Sequence, residues 1–172
     1  VHEPFTYPIG ESILGKGIDT LGWVGPWENA GNLQGNSITI ESGNLRSEDQ
    51  SGTAPSYVKL SYTQNNSQIR IDRQLADPIV SDGSTYWISY WVSTLPTTAN
   101  GNVANLNLVN SAISDAAGHR LSIGRLYGTG QLGMITPSNG SRSNTNLSDQ
   151  GLRHILVRIR TLNSIENDTV HM

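Results

Sequence analysis

Trp87 and Trp91 stand four residues apart in a run that alternates as an extended chain does. Tyr86, Ile88, Tyr90 and Val92 fall on one side, and Trp87, Ser89, Trp91 and Ser93 on the other. By strand rise the two indoles are about 13 Å apart. An indole face matches the C–H face of a pyranose, and its N–H can reach a hydroxyl, so the pair could serve two sugar subsites. Core packing is the competing reading for rings of this size. A second alternating run, 153–161, sets Ile155, Val157 and Ile159 against His154, Leu156, Arg158 and Arg160. The arginine fork donates two parallel hydrogen bonds and suits carboxylate or sulfate. If Asn105, Asn107, Arg120 and Lys59 join that face, a polar groove results. A solvated sheet face is the plainer alternative.

These residues need strands to position them, and the chain is rich in strand signals. Candidate strands are 3–7, 37–41, 56–64, 68–75, 84–94, 103–110, 119–127, 130–136, 153–161 and 168–172. Turn chemistry fills the gaps at Gly35-Asn36, Asn65-Asn66, Asp82-Gly83, Asn100-Gly101 and Asn139-Gly140. Many short strands with no helical period between them predict an antiparallel sandwich or jelly roll of about ten strands. Val58, Leu60, Tyr62, Ile88, Tyr90, Leu106, Leu108, Ile155, Val157 and Ile159 are the expected core. Strand 84–94 is heavy on both faces and reads as central, with something packed on each side. The polar segment 137–150 reads as a long loop. Nothing in the pattern separates two domains, so 1–172 reads as one.

Composition bounds the function. The 172 residues suffice for one β-sandwich core. Hydrophobic content is 35%, which a sheet with one wet face tolerates. The net charge of −3 argues against a nucleic-acid partner. There is no cysteine, hence no disulfide framework and no thiolate metal site. No apolar run approaches the ~20 residues of a membrane span. Val1 reads as a processed N-terminus. The chain stops inside the strand that begins near residue 168. It is therefore expected to be a piece of a longer protein, or to complete its sheet with a neighbour and self-associate through an open edge.

The opening stretch adds a resemblance. Glu3-Pro4-Phe5-Thr6-Tyr7 precedes a Gly-rich passage from Gly15 to Gly22 that ends in Trp23-Val24-Gly25-Pro26-Trp27. With the strands that follow, this resembles secreted bacterial β-sandwich modules of the concanavalin A-like lectin/glucanase superfamily, close to laminin-G-like domains. Trp23 and Trp27 either present rings to sugar or plug one end of the fold.

Glucanases of that superfamily alternate two glutamates and an aspartate along one strand, which gathers the carboxylates on one face. The nearest match is Glu166-Asn167-Asp168, but Val170 and His171 stand where the third carboxylate would be sought. The Arg-rich and Gln-x-His strands of related alginate lyases are not reproduced by His154 and Arg158. The resemblance therefore implies no catalytic constellation. Calcium is common in such sandwiches, and Asp77, Asp82, Asp115, Asp149 and Asp168 could supply oxygen ligands, though at no dedicated spacing.

The expectation is a non-catalytic carbohydrate-binding or adhesive module of a secreted or cell-surface bacterial protein. Its glycan would contact Trp87, Trp91, Asn105, Asn107, Arg158 and Arg160. A structural assembly subunit such as a filament, sheath or surface layer is the first alternative, and a glycan hydrolase or polysaccharide lyase the second.

Overall fold

A computed structural model describes residues 3, 5–17, 22–31, 33, 35–43, 56–61, 69–80, 83–94, 104–109, 119–125, 131–136, 141–148, 151–162 and 169–172. They form eleven strands, all pairings are antiparallel, and no helix occurs among them. The chain divides into two compact units, Val1–Pro78 and Ile79–Met172.

The first unit holds β1 (Trp23–Asn29), β2 (Ser37–Ser42), β3 (Ser56–Ser61) and β4 (Ile71–Leu75). β1 pairs with β4, and β2 with β3. Residues 10–16 join the two pairs. Gly10 N–H donates to Ile40 O and Ile40 N–H to Glu11 O, while Gly15 N–H donates to Trp27 O and Trp27 N–H to Lys16 O. Ile13 lies within this segment and is fully buried with Ile38, Ile40 and Ile69. Each such side chain contributes about 1.5–3 kcal/mol by leaving water.

The second unit holds β5 (Thr85–Thr94), β6 (Ala104–Val109), β7 (His119–Arg125), β8 (Gln131–Thr136), β9 (Ser141–Ser148), β10 (Gly151–Arg160) and β11 (Thr169–His171). One sheet runs β11-β10-β5, the other β6-β7-β8-β9. Their inner faces meet in one core. Ile155, Val157 and Ile159 of β10 pack with Leu121 and Ile123 of β7 and Leu132 of β8, flanked by Tyr86, Ile88, Tyr90 and Val92 of β5. The period-two pattern of β10 is strict: Ile155, Val157 and Ile159 are buried, and Leu156, Arg158 and Arg160 exposed. Tyr90 Oη donates to Ile123 O at 3.1 Å, which ties the two sheets together.

Several expectations are corrected. Among the described residues of 3–7 no strand forms: the Glu3 carboxylate accepts from Phe5 N–H, and Phe5 has φ 52°, outside the extended region. The Trp23–Asn29 passage, read as loop, is β1. Its register shifts between Val24 and Glu28, where Gly25 (φ 71°) and Pro26 interrupt the ladder as a bulge does. β9 fell in the supposed 137–150 loop. Its sequence lacks apolar alternation because Ser143, Asn144, Leu147 and Ser148 are exposed, and backbone pairing with β8 holds it.

β5 is not central; it ends its sheet among the described residues. Leu60 and Leu106 were expected in the core and are exposed. Each lies opposite a buried residue, Ile38 and Ile123 respectively, so the face was right and the depth was not. Tyr62 lies outside the described residues.

Candidate functional site

The outer face of β5 and β10 is built in rows across the strands. Trp91 lies opposite His154, Ser89 opposite Leu156, Trp87 opposite Arg158, and Thr85 opposite Arg160. β11 extends two rows, setting His171 beside Arg158 and Thr169 beside Arg160. The inward residues Tyr86, Ile88, Tyr90 and Val92 bind this sheet to the core, and the pleat then forces the alternate residues outward.

Trp87 is 61% exposed, Leu156 50% and Trp91 37%. The His154 imidazole stacks on Trp91 with centroids 4.6 Å apart and planes 15° apart. Ser89 Oγ lies 2.8 Å from His154 Nε2. That bond and the stack hold the imidazole from two directions at the Trp91 end of the face. The Trp87 ring stands free beside Arg158. Neither Arg158 nor Arg160 forms an ion pair among the described residues. The strand sequences TYWISYWVST, GLRHILVRIR and TVH contain no carboxylate. The face can therefore stack flat apolar rings and donate charged hydrogen bonds to anionic or hydroxyl oxygens.

Trp87, Trp91, Arg158 and Arg160 thus share one outer face, which the pairing of β5 with β10 brings together. Asn105 and Asn107 do not share it. They belong to β6, in the other sheet of the unit. Leu108 packs against the core there, opposite Leu121, while Leu106, opposite Ile123, is exposed. Asn107 Oδ1 is buried, with no hydrogen-bond partner among the described residues. Lys59 lies on β3 of the first unit, and Arg120 on β7. The sequence shows which face of a strand a residue takes, but not which strand becomes its neighbour. His154, Leu156 and His171 complete the face for the same reason: alternation placed His154 and Leu156 outward, and the β10 register supplied their company.

Trp23 and Trp27 occupy a different environment. Glu3 Oε2 accepts from Trp27 Nε1 at 3.1 Å, from Tyr7 Oη at 3.1 Å, and from Arg73 Nη1. Arg73 Nε donates to Gly25 O at 3.0 Å. The guanidinium carbon lies 5.2 Å from the Trp23 ring centroid and 5.8 Å from that of Trp27, and Phe5 stacks on Trp27 at 6.2 Å. The side chains of Arg73 and Glu3 are 0% and 7% exposed. The Tyr7 hydroxyl is pushed up from its ordinary value, first by burial and then by Glu3, with Arg73 opposing. Gly17 (φ 91°) permits this closure, since a Cβ there would stand 2.6 Å from Arg73 Nη1 and 2.8 Å from Tyr7 Oη. The two rings close over the ion pair.

No cluster of three or more His, Asp or Glu side chains occurs among the described residues. Of the aspartates weighed for calcium, Asp77 lies in an exposed bend, while Asp82, Asp115, Asp149 and Asp168 lie outside the described residues, as does Glu166. No helix among the described residues is long and apolar enough to cross a membrane. No protein-family model, curated protein or solved structure matches the chain.

Proposed function

We propose that this protein is a non-catalytic carbohydrate-binding or adhesive module of a secreted or cell-surface protein, on a jelly-roll sandwich of the concanavalin A-like kind. The observation that carries the reading is the pair of outward tryptophans, Trp87 and Trp91, on one rigid sheet face beside Arg158. Leaving an indole 61% exposed forgoes the burial that large aromatics otherwise supply, and a ligand that covers it recovers that term. A sheet face also presents its groups already ordered, which lowers the entropic cost of association.

The stacked Trp91–His154 pair forms the fixed end of the platform. Trp87 forms the free end, and Arg158 and Arg160 orient the ligand. Affinity electrophoresis against neutral and acidic polysaccharides tests this directly. Retardation is expected, and Trp87→Ala weakens it by about 1–3 kcal/mol, the range for truncating an anchor residue. Mobility unchanged by every polysaccharide would overturn the reading. Release of reducing ends or of an unsaturated product on the same panel would replace it with an enzyme.

A further inference from the structure

Resting on the glycan reading above, we propose that the outer face of β5, β10 and β11 takes a polyuronate, a glycan whose sugar rings carry carboxylates. The observation is the row Trp87–Arg158–His171, which sets a stacking ring directly beside a cation across the sheet. Residues paired in this way have Cα atoms about 4.5–5.5 Å apart. In a uronate the carboxylate is bonded directly to the ring, so a pyranose lying on Trp87 brings its carboxylate within reach of Arg158. A phosphodiester stands a whole sugar away from a stacked base, which fits this short separation less well. The guanidinium fork and the carboxylate are both planar and match two bonds to two oxygens.

The charge pattern agrees. The described residues of the three strands carry Arg158, Arg160, His154 and His171 on this face and no Asp or Glu. In the first unit two arginines are already neutralised: Arg70 pairs with Asp72, and Arg73 with Glu3. Residues 1–78 hold nine Asp/Glu against five Lys/Arg, whereas residues 79–172 hold five against six. The cationic face therefore belongs to the less acidic half. Arg160 repeats the fork about 7 Å further along β10, so a chain bearing repeated carboxylates can engage both.

The test is titration calorimetry of the whole chain with polygalacturonate, a neutral galactan of similar length, a sulfated glycan and a thymidine oligonucleotide. Polygalacturonate is expected to bind at least about tenfold more tightly than galactan, since hydrogen bonds to charged groups contribute at least that factor. Salt should narrow the gap. Arg158→Gln should narrow it about tenfold with the melting temperature unchanged, and Arg158→Lys should restore only part of it, because lysine keeps the charge and loses the fork. Equal binding of polygalacturonate and galactan would overturn the polyuronate assignment and leave the glycan reading standing. Tighter binding of the sulfated glycan would do the same. Binding of no glycan, or of the oligonucleotide alone, would overturn both.

Discussion

Two places in this molecule assemble the same ingredients, a pair of tryptophans and an arginine, to opposite ends. In the first unit, Trp23 and Trp27 close over Arg73, whose charge is met by Glu3 and whose Nε is met by Gly25 O. In the second, Trp87 and Trp91 stand open beside Arg158 and Arg160, which no carboxylate of the described residues neutralises. Residue type alone does not separate a structural cluster from a binding face. What separates them is whether the arginine's charge is already met. A closed network offers little to a ligand and much to stability; an open one has the reverse balance.

The largest expected effect follows from breaking the closed cluster. Arg73→Ala leaves Glu3 buried without its counter-charge and should lower the unfolding free energy by about 3–5 kcal/mol. Replacing both partners, Glu3→Leu with Arg73→Met, should cost far less, because no uncompensated charge remains. Urea denaturation followed by tryptophan fluorescence distinguishes the two. If the double variant is as unstable as the single, the pair's burial is not the reason for its importance.

Gly17→Ala tests the same closure from the backbone side. The left-handed φ and the space taken by Arg73 and Tyr7 both oppose a Cβ. A loss of about 1–3 kcal/mol is expected, the usual range for strain of this kind. A neutral or stabilising outcome would mean that the cluster opens without cost.

The sequence carried the open face far better than the closed cluster. Alternation in β5 and β10 put Trp87, Trp91, Arg158 and Arg160 outward, because a pleated strand encodes its faces in a period of two. It misjudged what lay beyond. The heavy outer face of β5 read as buried, since large aromatics usually are. Asn105 and Asn107 were drawn into the same groove, although strand pairing placed them in the other sheet. The Glu3–Arg73 pair was not legible at all. Its partners are seventy residues apart, and no local pattern announces an ion pair closed by tertiary contact. β1 was hidden by Gly25 and Pro26, which signal a turn and here make a bulge. β9 was hidden because an exposed polar strand leaves no hydrophobic period to read.

A smaller effect comes from alkali. Burial pushes the Tyr90 hydroxyl well above its ordinary value of 10.0. In the unfolded chain this group loses its proton near pH 10, while in the folded unit it keeps it. The native state then binds more protons than the unfolded one, so stability is complete below about pH 10 and falls above it, by roughly 1.4 kcal/mol for each further pH unit. Tyr90→Phe removes that slope and costs the hydrogen bond to Ile123 O. Tyr7 shifts in the same direction, but Arg73 opposes its rise, so the first unit should yield less steeply. Urea midpoints measured between pH 9 and 11 for the parent and Tyr90→Phe chains decide this. Parallel curves would show that Tyr90 ionises as freely folded as unfolded.

The smallest effect is expected where the comparison is sharpest. Trp87 is as large as Trp27, yet its ring makes no hydrogen bond among the described residues and lies mostly in water. Trp87→Ala should therefore change the unfolding free energy by no more than about 0.5 kcal/mol, as surface substitutions do. Trp27→Ala should cost about 3–5 kcal/mol, as truncation of a packed aromatic does. Measuring both in one background removes any difference in method or baseline. Equal losses would place Trp87 in a packed environment and withdraw the platform from β5. A chain that tolerates Trp87→Ala and still loses its retention on polysaccharide would show that the indole is kept for what it touches outside the fold, because nothing inside the fold needs it.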